Sequence, residues 1–166
     1  MTDKIRRQLT LFLEQNDAEI IEKVRQLFNP RQFELINAHI TLCREDEIEN
    51  IEQVILNIYK LKEREIIFQL EKPKRFDDGK GVYIKILNGG KKFNNLRQKV
   101  LKGVINNPRD QIPHITLMHP RNSICTDDIF EKISNEKFPA SICFKKIYLI
   151  EQNNDEKWNV IKFFNL

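Results

Sequence analysis

Leu9, Leu11 and Leu13 alternate with Thr10 and Phe12, which predicts a first β-strand. The period then changes. Ile20, Ile21, Val24, Leu27 and Phe28 form a stripe at helical spacing, with Asn16 expected to cap the helix and Asn29-Pro30 to end it. A short β-branched run follows at 39–42. A second helix is expected behind Asp46, with Ile48, Ile51, Val54, Ile55, Ile58 and Leu61 on its buried face. Two strands are expected at 66–70 and 82–87, joined by a polar loop that contains Asp78-Gly79. After Gly89-Gly90 a third helix carries Phe93, Leu96, Val100, Leu101 and Val104. Another short strand follows Pro113, Thr126 caps a short fourth helix, and strands near 141–150 and 157–164 end the pattern.

The order is strand, helix, strand, helix, two strands, helix, strand, helix, two strands. Such a duplicated pattern predicts an α+β fold with a pseudo-twofold: antiparallel sheets with helices on their outer faces and a cleft between two lobes. The whole chain, 1–166, is expected to form a single domain of two such lobes. The two short strands stand at corresponding places in the halves, and they share four letters. His39-Ile40-Thr41-Leu42 recurs as His114-Ile115-Thr116-Leu117, the two histidines lying 75 positions apart and being two of only three in the chain.

In a strand, residues i and i+2 point to the same face. Each copy therefore presents one imidazole beside one hydroxyl. If the strands meet across a cleft, two acid/base groups and two hydroxyl donors surround one small volume. That set suits displacement at a phosphodiester. One histidine takes a proton from the attacking oxygen, the other gives one to the departing oxygen, and the threonines donate to non-bridging oxygens. His39, Thr41, His114 and Thr116 are the expected catalytic residues, and the pattern contains no metal-ligand spacing and calls for no cofactor.

With its flanks the motif reads Ala38-His39-Ile40-Thr41-Leu42 and Pro113-His114-Ile115-Thr116-Leu117. The chain resembles the 2H phosphoesterase superfamily, which includes the bacterial 2′-5′ RNA ligase-like proteins. The resemblance implies a bilobal α+β fold with a metal-free His/Thr site between the lobes. It also implies action on 2′,3′-cyclic phosphates or 2′-5′ linkages of nucleotides and RNA. Opening of a cyclic phosphate is the leading expectation. Cleavage or ligation of 2′-5′ RNA linkages is one alternative, and a non-catalytic RNA- or nucleotide-binding module is another.

Composition narrows the setting. There is no apolar run of about 18 residues and no hydrophobic core in the charged start Met1 to Arg7, so neither a membrane span nor a signal peptide is expected. Three cysteines, Cys43, Cys125 and Cys143, are odd in number and lack CxxC spacing, which suits free thiols in a reducing cytoplasm. Simple alternation puts Cys43 on the His39/Thr41 face. The net charge is only +4, but between Lys72 and Lys102 ten Lys/Arg stand against two Asp, a local +8 that suits a nucleotide or RNA partner. Arg44 and Arg121, each just past a motif, could reach a phosphate, and Tyr83 and Phe93, inside the basic segment, could stack on a base. His119, five residues after His114, falls on the opposite face if the strand alternates without interruption, and is expected to be structural or at the rim. The chain is expected to act as a monomer.

Overall fold

The computed structural model describes residues 4–166, so the first three residues of the charged start lie outside the described part. Eight strands form two four-stranded sheets, all neighbours antiparallel. One contains β1 (Ile5–Phe12), β2 (His39–Cys43), β7 (Lys146–Asn153) and β8 (Asn159–Asn165), in the order β2-β1-β7-β8. The other contains β3 (Ile66–Arg75), β4 (Val82–Leu87), β5 (His114–Met118) and β6 (Ser141–Phe144), in the order β5-β4-β3-β6. Each His-Ile-Thr-Leu strand is thus the edge of its own sheet, and β2 and β5 lie beside each other.

Five helices accompany the sheets: α1 (Gln15–Phe28), α2 (Pro30–Leu35), α3 (Ile51–Tyr59), α4 (Gly90–Val100) and α5 (Asp127–Ser134). Their stripes are buried as expected: Ile21 and Val24 on α1, Val54 and Ile58 on α3, Phe93, Leu96 and Val100 on α4. Together with Leu9, Leu11, Ile40, Leu42, Ile84 and Ile115 from the strands they form one continuous core. No helix among the described residues is long and apolar enough to cross a membrane.

Several boundaries differ from expectation. Asn16 lies inside α1, whose N-cap is Glu14 without a side-chain cap. Asn29-Pro30 ends α1 as expected, with Asn29 its C-cap, but a further short helix, α2, starts at once. Pro30 sits at the first position of α2, where its missing N–H and fixed φ are harmless. Asp46 lies in a 3-10 turn, Glu45–Glu47, and the cap of α3 is Asn50, whose Oδ1 accepts from the Gln53 N–H at 3.2 Å. The stretch near 141–150 is two strands, β6 and β7, which belong to different sheets. Thr126 caps α5 as expected, accepting from Ile129 N–H at 3.3 Å.

One buried ion pair joins the halves. Arg97 of α4 is fully buried, and so is nearly all of Glu47. Arg97 Nη2 lies 2.5 Å from Glu47 Oε1, and Nη1 lies 3.1 Å from Oε2. The same guanidinium donates to the Leu42 carbonyl at the end of β2 and, at 3.2 Å, to the Arg109 carbonyl on the approach to β5. Burial alone would push the Glu47 carboxyl up. The Arg97 hydrogen bonds and the Arg44 backbone N–H at 2.9 Å outweigh it and hold the group below the usual carboxylate range. Removing one member of such a pair leaves a buried charge without its partner. Arg97→Met should therefore lower the unfolding free energy by about 3–5 kcal/mol, read from urea denaturation. Adding Glu47→Leu to it should recover part of the loss.

Candidate active site

The two motif strands bury the same positions. In both, Ile and Leu point inward while His and Thr stay half exposed on the open face. Both also carry the same irregularity. Thr41 pairs with Thr10 while Cys43 pairs with Leu9, so Leu42 is an extra residue. Thr116 pairs with Tyr83 while Met118 pairs with Val82, so Leu117 is an extra residue in the same place. A bulge of this kind reverses the alternation beyond it.

This moves two side chains from where uninterrupted alternation put them. Cys43 is fully buried in the core and does not line the His39/Thr41 face, and burial pushes its thiol up to about 12. His119 returns to the open face after buried Met118, instead of pointing away from His114. Gly81 permits the approach of β4 to the end of β5, since a Cβ there would lie 2.5 Å from the Met118 carbonyl oxygen.

The imidazoles are held alike. His39 Nδ1 lies 2.7 Å from the Asn37 carbonyl oxygen, and His114 Nδ1 lies 2.9 Å from that of Ile112. A carbonyl only accepts, so each Nδ1 carries the proton and each Nε2 is left for chemistry. Behind β2, α1 supplies the support: Glu22 accepts the Ala38 N–H, and buried Arg25 donates to the Ile36 carbonyl at 2.7 Å. Behind β5, α4 does so through Asn94, which exchanges hydrogen bonds of 2.9 and 3.0 Å with the backbone of Gln111.

The surroundings are not symmetric. Opposite His39 stands Phe12, with ring centroids 6.0 Å apart, and Phe12 packs on Tyr148. Opposite His114 stands Lys85, and the ring touches Tyr83 and Phe76 at centroid distances of 5.6 and 5.9 Å. Desolvation lowers His39 to about 4; the Asn37 carbonyl opposes this, and the nearby charges of Arg25, His114 and His119 add to it. The three imidazoles are thus neighbours.

Of the other expected contacts, Tyr83 is brought to the site. Phe93 is not: it is buried in the core against Phe68, ring centroids 6.3 Å apart, and offers no face to a base. Arg44 and Arg121 are exposed, Arg44 just past β2 at the position that corresponds to His119 just past β5. Thr10 and Lys85, not expected at the site, face Thr41 and His114 across the strands; in the sequence the i,i+2 spacing of Tyr83 and Lys85 is the signal for the second. A cavity of about 610 Å³ lies between α4 and the approach to β5, bordered by Lys85, Lys91, Glu71, Asp110 and Pro113; His114 is not in its wall. Among the described residues no three His, Cys, Asp or Glu side chains gather to hold a metal ion.

A model of the 2′-5′ RNA ligase superfamily matches residues 13–156. No curated protein matches the sequence. Among solved structures, Escherichia coli LigT complexed with phosphate is 16% identical, with 99% of each chain covered and a TM-score of 0.66. The same protein complexed with 3′-AMP is 17% identical, with 97% of each chain covered and a TM-score of 0.64. Kluyveromyces marxianus Usb1 is 12% identical, covering 98% of this chain and 97% of its own, with a TM-score of 0.50. At these identities the likeness is one of fold.

His39 should remain neutral down to about pH 4, which an NMR titration of its ring resonances would show. The unfolded histidine, with a pKa of about 6.5, binds a proton that the folded one refuses, so its contribution is full above about 6.5 and is lost as pH falls through 4. His39→Gln should flatten the fall of stability in that window.

Proposed function

The chain belongs to the 2′-5′ RNA ligase superfamily of 2H phosphoesterases, and on that footing we propose that it opens 2′,3′-cyclic phosphates of nucleotides or RNA ends without a metal. The observation that carries the reading is the repeated one: two His-x-Thr pairs on adjoining sheet edges, each Nδ1 fixed by a carbonyl two residues back. His39 is the base. Its apolar setting keeps it neutral, and Nε2 has the lone pair to take a proton from water. The water oxygen bonds to phosphorus as the bond to one ribose oxygen breaks, and His114, in the acid role, gives a proton from Nε2 to that oxygen. Family resemblance favours a 2′-phosphate product. Thr41 and Thr116 donate to the non-bridging oxygens. The fold that E. coli LigT uses with phosphate and 3′-AMP supports a nucleotide as ligand.

The same groups run in reverse would join a 2′-5′ linkage, and that family activity is the second reading. Without turnover the site would remain a nucleotide- or RNA-binding module. Arg44 and Arg121 are proposed to meet the flanking phosphates, and Tyr83 a base or ribose beside His114. The reading takes the chain as one two-lobed domain acting as a monomer in the cytoplasm.

Cyclic mononucleotides should be hydrolysed with EDTA present. His39→Ala and His114→Ala should each lower the rate about 10²-fold or more, and the double variant should be little worse than either, because one displacement needs both transfers. Thr41→Ala or Thr116→Ala should cost less. The rate should form a bell against pH, its acid limb falling as pH drops through about 4, where His39 takes up a proton and ceases to be a base. Near-normal turnover by both folded histidine variants would replace catalysis with the binding-module reading.

The basic segment between Lys72 and Lys102 sets ten Lys/Arg against two Asp, and its Lys85 stands opposite His114. Raising salt should therefore slow cleavage of cyclic-ended RNA more steeply than that of a cyclic mononucleotide. Equal slopes in a rate-versus-salt series would show that this segment does not touch the RNA backbone.

A further inference from the structure

We propose that His119 is a third phosphate-contacting residue, its Nε2–H donating a hydrogen bond to a non-bridging oxygen of the bound phosphate. The inference rests on the reading of the site given above. It starts from the bulge at Leu117, which returns His119 to the face of His114 and Thr116. There the residue is held at nearly every polar atom. Its N–H donates to Asn29 Oδ1 at 2.7 Å, and Asn29 is itself buried and donates to Asn122 Oδ1 at 2.9 Å. Its carbonyl accepts from Asn122 N–H at 3.1 Å and from Ser123 Oγ at 2.7 Å.

The ring nitrogens then decide the chemistry. His119 Nδ1 lies 3.2 Å from the Arg121 backbone nitrogen. An N–H donates, so Nδ1 accepts and the proton of the uncharged ring sits on Nε2. This is the reverse of His39 and His114, whose Nδ1 atoms donate. Nε2 of His119 has no hydrogen-bond partner among the described residues. Burial and then the neighbouring Arg121 charge lower its pKa, with Asp78 opposing, which favours that uncharged form. The ring therefore offers one fixed donor without competing for the protons that the other two exchange. Its charge bears on His39, and that of His114 bears on it.

The test separates the two ring nitrogens. His119→Asn keeps an oxygen where Nδ1 accepts from Arg121 but removes the distal N–H. His119→Gln restores an N–H near the Nε2 position and gives up the turn bond. Turnover of a 2′,3′-cyclic nucleotide and binding of inorganic phosphate by calorimetry would be measured for both, with thermal melting as the control for folding. The expectation is a loss of about 10- to 100-fold in kcat/KM and in phosphate affinity for His119→Asn, partly recovered in His119→Gln. A folded His119→Asn with wild-type kcat/KM and phosphate affinity would overturn the proposal, and so would a folded His119→Gln no better than His119→Asn. If the wild type opens no cyclic phosphate, the cyclic-phosphate reading fails. A phosphate affinity lost in His119→Asn and regained in His119→Gln would still support His119.

Discussion

A bulge frees a backbone carbonyl, and in β2 that carbonyl finds a guanidinium. Arg97 reaches from α4 to Leu42 at the bulge, to Glu47 in the turn beyond it and to Arg109 ahead of β5. The ion pair is buried, so it is stable only because its charges are nearly all hydrogen bonded. What it contributes is placement. One side chain touches the strand that carries His39 and the segment that leads to His114, so the helix covering one sheet sets the position of both motifs.

Within that frame the two halves have diverged where substrate would meet them. The positions opposite the histidines hold Phe12 in one sheet and Lys85 in the other, and those opposite the threonines hold Thr10 and Tyr83. Beyond the bulges stand Arg44 and His119. A symmetric backbone with unlike neighbours is what acid/base work requires, since one imidazole must start neutral and the other charged. The apolar contacts of His39 meet that need on one side.

Most of the fold was legible because apolar spacing reports burial directly. The stripes of α1, α3 and α4 and the inward Ile and Leu of both motifs are examples. The bulges were not legible. One extra residue leaves no mark in a five-residue strand, yet it sends Cys43 into the core and His119 to the surface. Pairing was hidden too: 141–150 reads as one β-rich stretch, and only the packing of two sheets divides it at Lys145. Thr126 capped its helix as expected, while the caps at Asn16 and Asp46 failed because those residues have the right chemistry and Glu14 and Asn50 the right place. Phe93 shows the limit of a charge argument, since it belongs to a basic segment by sequence and to the core by its place on α4.

No hydrogen-bond ladder joins β2 to β5; each is the last strand of a separate sheet. Side-chain ties grip the pair at opposite ends. Arg97 holds the end of β2 to the approach of β5, while Asn29, ahead of β2, holds the turn after β5. A gap fixed at its ends and unbonded along its length behaves like a jaw with two hinges. Strand pairing does not set the width of that gap, so a change in width would leave every ladder intact, and the compliance of the cleft is decoupled from the stability of the sheets that build it.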